Sequence, residues 1–79
     1  MTDLKQVLTD IAKALVDNPD QVVVNVLSED DDEIRFQLVV EESDMGKVIG
    51  RNGRIAKAIR TVMKSVANTE GKHVDVKIG

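Results

Sequence analysis

Three short segments of this chain alternate apolar and polar residues, and each keeps its apolar residues on one side. Val22, Val24 and Val26 share one face of the first. Ile34, Phe36, Leu38 and Val40 share a face of the second, opposite Arg35 and Gln37. Val74, Val76 and Ile78 do so in the third, opposite His73, Asp75 and Lys77. Successive side chains of a strand point to opposite faces, so these segments predict a three-stranded sheet covered on one face only. Such a sheet needs helices to cover it.

The helices are readable from spacing. Leu4, Val7, Leu8, Ile11 and Leu15 recur at helical intervals, with Thr2 as N-cap and Asn18-Pro19 as the stop. A short helix follows the second strand, capped by Ser43 or Asp44. A longer one runs from about Arg54 to Ala67, with Ile55, Ala58, Ile59, Val62 and Val66 as its core stripe and Asn68 to Gly71 as its end. Ser28 to Glu33 joins the first two strands as an acidic hairpin loop. The expected order is α-β-β-α-α-β, an α+β two-layer sandwich in a single domain over residues 1–79. Strands one and two should be antiparallel. Strands two and three, joined through helices, should be parallel, which puts strand two in the middle.

Between the last two helices lies Met45-Gly46-Lys47-Val48-Ile49-Gly50-Arg51-Asn52-Gly53-Arg54-Ile55-Ala56-Lys57. Glycines at 50 and 53 let peptide planes approach a nucleic-acid backbone without Cβ atoms in the way. The helix beginning at Gly53 offers N–H groups and a positive dipole end to phosphate. Arg51 and Asn52 form the tip, Lys47 reaches from the short helix, and Arg54 and Lys57 lie nearest the loop on the long one. Val48, Ile49 and Ile55 are candidates for an aliphatic floor under bases, or plain core. Arg60 and Lys64 continue the basic face, with Lys64 read as a solvated lysine.

A formal charge of −3 argues at first against a polyanionic partner. The charge is unevenly divided: residues 1–44 hold twelve acids and three bases, residues 45–79 two acids and eight bases. The local field at a phosphate matters more than the net charge, and the positive half begins beside the glycine loop. With no cysteine and no apolar run near the roughly 20 residues of a membrane span, the chain reads as cytoplasmic, without disulfides and without a membrane partner.

The element order and the run Gly46-Lys47-Val48-Ile49-Gly50-Arg51-Asn52-Gly53-Arg54-Ile55 resemble the type II, prokaryotic-style KH domain over nearly the whole chain. A free-standing chain of this length is similar to the small bacterial KH proteins of the KhpA/YlqC group. The resemblance implies a GXXG clamp on about four nucleotides of single-stranded RNA. It also implies a post-transcriptional regulator or RNA chaperone that pairs as a homodimer or with a larger Jag-type KH protein.

Other chemistry is poorly supplied. Phe36 is the sole aromatic residue and lies on the covered strand face, so the ring platform of RRM and OB folds is missing. His73 reads as a surface residue. Glu41, Gly46, Lys47 and Val48 do not make a P-loop, and Glu29 to Glu33 lacks the ligand alternation of a calcium loop. One histidine and no cysteine leave little for a nucleophile–base pair, so neither an enzyme nor a cofactor or small-molecule substrate is expected. The competing reading is a protein–protein module with a KH fold and no working clamp. Ala56, Met63 and Ala67 widen the apolar arc of the long helix, which makes Ala56, Ile59 and Met63 the expected dimer interface.

Overall fold

The three alternating segments pair as their patterns require. In the computed structural model, which describes residues 3–79, β1 (Val23–Glu29), β2 (Glu33–Val39) and β3 (His73–Ile78) form one sheet in the order β1-β2-β3. β1 and β2 are antiparallel, with Val24 opposite Leu38 and Val26 opposite Phe36. β2 and β3 are parallel, with Ile34 beside Val74 and Phe36 beside Val76. These residues share the inner face, and α1 (Leu4–Leu15), α2 (Met45–Ile49) and α3 (Arg54–Asn68) contribute Leu8, Val48, Ile59 and Met63 to the same core. Phe36, fully buried on the middle strand, is worth about 1.5–3 kcal/mol relative to an exposed side chain.

α1 begins differently from its expected start. Thr2 lies outside the described residues, and Asp3 is the N-cap, its Oδ1 accepting from the Gln6 N–H at 3.2 Å. The helix stops at Leu15, because Val16 is already extended (φ −102°, ψ 160°), and Pro19 opens a separate single turn over Pro19–Gln21. Leu4, Leu8 and Ala12 face the core, leaving Leu15 outside.

β1 also departs from simple alternation. Val26 pairs with Phe36 and Ser28 with Arg35, so Leu27 is an extra residue in a β-bulge. The strand therefore runs on to Glu29, and the connection shrinks from the expected Ser28–Glu33 to Asp30–Asp32. Val26 keeps the inner face but stays exposed, opening into a recess with Leu4, Ile34 and Phe36.

α3 is turned from its expected orientation. Ala56, Ile59, Met63 and Ala67 are buried, Ile55 and Val66 half-buried, and Ala58 and Val62 exposed. Small Ala56 and Ala67 let the helix press close to its neighbours. The expected dimer interface of Ala56, Ile59 and Met63 is corrected on this ground: all three side chains are used up inside their own chain.

Candidate nucleic-acid interface

The glycine turn is set by backbone conformation. The Gly50 N–H donates to the Gly46 carbonyl at 2.9 Å and closes α2. Gly50 then takes φ 74° and ψ 175°, a region open essentially to glycine alone. A Cβ there would stand 2.6 Å from Ile55 Cγ1, so the glycine is also required by contact. The chain makes one tight turn over Arg51–Gly53, with the Gly53 N–H donating to the Gly50 carbonyl at 3.2 Å. Asn52 (φ 58°, ψ 24°) and Gly53 (φ 73°, ψ 17°) are both left-handed. Asparagine tolerates that region better than most residues, so Asn52 has a conformational reason to be where it is.

Gly53 is the N-cap of α3 and has no side chain to give its first turn. The Arg54 N–H donates to the Arg51 carbonyl within the turn, and the positive end of a 15-residue helix lies beside it. Arg51, Asn52, Arg54 and Lys57 are exposed there, and among the described residues no acid pairs with Arg51, Arg54 or Lys57. Ile49, 37 % exposed, and half-buried Ile55 flank Gly50 and supply the aliphatic surface. Val48 does not: it is fully buried, which corrects its candidacy as a floor for bases. Arg60 is not free either, since its Nε donates to the Val76 carbonyl on β3 at 3.1 Å. Lys64 lies at the far end of α3, in a recess with Asn68, Lys72 and His73.

The expected phosphate contact Lys47 is engaged elsewhere. Its Nζ lies 3.2 Å from Asp17 Oδ2 and 3.9 Å from Asp44 Oδ1. Asp44, expected as a cap of α2, makes no cap hydrogen bond there. Its carboxylate is 1 % exposed and accepts from the main-chain N–H groups of Asp17 (3.2 Å) and Asn18 (3.0 Å) and from Asn18 Nδ2 (3.0 Å). Burial pushes this carboxyl up, but the three N–H donors, led by the Asn18 side chain, together with Lys47 outweigh it and hold it below its usual range. Asp44 thus ties the end of α1 to the start of α2 and fixes the base of the glycine turn. Sequence reasoning missed this role, because Asp44 closes the polar run Glu41-Glu42-Ser43-Asp44 and nothing local separates one acid from its neighbours.

With this geometry in place, comparison with known proteins is direct. Residues 5–78 match the sequence model for the KH domain of KhpA/KhpB. The chain is 53 % identical over 75 residues to the RNA-binding protein KhpA of Clostridium acetobutylicum, covering 95 % of this chain and 99 % of that one. It is 56 % identical over 68 residues to the RNA-binding protein KhpA of Caldanaerobacter subterraneus subsp. tengcongensis, covering 86 % and 89 %. The match to the RNA-binding protein KhpA of Aquifex aeolicus is 40 % over 78 residues, 99 % and 98 % of the two chains.

Proposed function

This chain belongs to the KhpA/KhpB KH-domain family, and on that premise we propose that it binds RNA, holding a single strand across the Gly50–Gly53 turn. The observation that carries the reading is the set of cations left without acid partners, among the described residues, at an exposed turn with glycine at each end. One phosphate lies against the turn and the positive end of α3, with Arg51, Arg54 and Lys57 neutralising the backbone. Bases rest on Ile49 and Ile55 rather than on rings, so contact is weak per nucleotide and tolerant of sequence. A role as post-transcriptional regulator or RNA chaperone in the cytoplasm fits such binding. No helix among the described residues is long and apolar enough to cross a membrane.

The test is titration with unstructured single-stranded RNA over a range of salt. Three cations at about 0.7 per phosphate predict that log K falls against log salt with a slope of roughly −2. Joint replacement Arg51→Asp and Asn52→Asp removes nearly all binding, whereas Lys64→Asp, at the far end of α3, weakens it slightly. Equal losses from the two proteins would instead mean diffuse electrostatics, and a folded loop variant that still binds RNA would sink the clamp.

A second reading, a protein–protein module, is favoured by one observation: Val62 is 46 % exposed on α3, next to exposed Ala58. This is where a second copy, or a larger Jag-type KH protein, would pack. It replaces the buried Ala56, Ile59 and Met63 as the proposed interface. Val62→Glu shifts a homodimer towards monomer in sedimentation; an unchanged dimer places the contact elsewhere. The two readings are compatible, since Val62 is separate from the glycine turn.

A further inference from the structure

Lys47 lies on α2, three residues before Gly50, the C-cap that opens the glycine turn. In the structure the Lys47 ammonium is held by Asp17 at 3.2 Å. We propose that Asp17 is a resident competitor for the RNA backbone: its carboxylate takes the place of a phosphate at Lys47 and limits how many phosphates one domain neutralises. The inference rests on the RNA-clamp reading and adds to it a residue outside the glycine turn that tunes affinity.

Three observations support this role. Asp17 is not a mobile surface acid by chance near a lysine, because its main-chain N–H is anchored to Asp44 Oδ1 at 3.2 Å. Asn18, next in the chain, is anchored to the same carboxylate twice, at 3.0 Å in each case. The backbone carrying Asp17 is therefore fixed against the start of α2, and its side chain is presented to Lys47. Secondly, Asp44 is a poor substitute as partner, at 3.9 Å and with its oxygens already accepting three N–H groups. Asp17 is the effective counter-charge. Thirdly, the pair is open to water, with the Asp17 and Lys47 side chains 77 % and 44 % exposed. Exposed pairs of this kind are weak, so the lysine is able to exchange a carboxylate for a phosphate. The cations at the turn itself have no such competitor among the described residues, which distinguishes Lys47 from Arg51, Arg54 and Lys57.

The test compares wild type, Asp17→Asn, Lys47→Gln and the double variant, each titrated with the same unstructured single-stranded RNA at several salt concentrations. Asp17→Asn keeps the main-chain anchor to Asp44, and its thermal midpoint should stay at the wild-type value. It should bind RNA roughly two- to fivefold more tightly at low salt, the size of one exposed ion pair. Its salt slope should steepen by about 0.7, one further phosphate. Adding Lys47→Gln should cancel both gains. An unchanged slope in Asp17→Asn overturns the proposal, and so does a gain that survives Lys47→Gln, which would assign the effect to the charge of Asp17 alone. Failure of the clamp reading looks different: wild type then shows no saturable binding, or the loop variant binds as well as wild type.

Discussion

The turn between β1 and β2 is built by a carboxylate, whereas the turn between α2 and α3 is built by glycines. In the first, Asp30 Oδ1 accepts from the N–H groups of Asp32 and Glu33, both at 2.8 Å. Glu33 holds Arg35, Glu29 lies 3.7 Å from Lys72, and the Asp32 carbonyl accepts from the His73 N–H at 2.8 Å. The charge there is largely spent on internal contacts. In the second turn the backbone closes on itself, and Arg51, Arg54 and Lys57 have no acid partner among the described residues. Both segments look alike as charged loops in a sequence. The difference lies in whether the chain consumes its own charge or leaves it for a ligand.

Five variants break or sharpen that contrast. The largest effect belongs to Arg51→Asp with Asn52→Asp: RNA affinity falls roughly tenfold or more by filter binding, while stability to denaturant moves within about 0.5 kcal/mol. Gly50→Ala comes next and acts on the fold. Left-handed backbone and the clash with Ile55 should remove roughly 1–3 kcal/mol in urea unfolding. Gly53→Ala meets open space and should cost about 1 kcal/mol. Equal losses at the two glycines would show that Ile55 simply moves aside.

Fourth is Asp44→Asn, which puts an amide N–H₂ towards groups that are themselves donors. Its midpoint at neutral pH should fall below wild type. Because the folded carboxyl titrates below its ordinary value of about 3.9, its stabilising contribution is present above that pH and disappears as pH drops through the lower folded value. The variant and wild type should therefore converge in acid; a constant gap would mean that packing, not charge, is what was lost. The smallest effect is expected for Asp30→Asn. Two main-chain N–H donors depress the Asp30 carboxyl. An asparagine Oδ1 keeps the same turn. Thermal unfolding at neutral pH and RNA affinity should barely change, while some of the acid sensitivity is lost.

The sheet was legible because alternation is a local signal: Phe36, Leu38, Val74 and Val76 could face only one way once one face was covered. The order of elements and the position of the glycine turn followed from the same patterns. α3 was harder. Its apolar residues span a wide arc, and the choice between Ala58 with Val62 and Ala56 with Met63 depends on how closely the helix approaches the sheet, a tertiary quantity. The extra residue Leu27 was invisible for a related reason, since a bulge is defined by the partner strand. The contacts of Lys47 and Asp44 were not legible because their partners Asp17 and Asn18 lie far off in sequence, on the other side of two strands. The shape of the Gly50–Gly53 turn was legible because Gly50, Asn52 and Gly53 answer to local backbone conformation, whereas Val48, just before it, belongs to the core by tertiary packing.

α2, the glycine turn and α3 all lie within the connection between β2 and β3, and β3 is an edge strand paired to β2 alone. The clamp is thus a bridge whose far abutment is one edge strand, held by its ladder to β2, by Val74 and Val76 in the core and by Arg60 Nε at the Val76 carbonyl. If β3 detaches, the whole bridge loses its anchorage, so opening at the edge and loosening at the turn should occur as one event. RNA held at Gly50–Gly53 then slows amide hydrogen exchange along His73–Ile78, residues it need not touch.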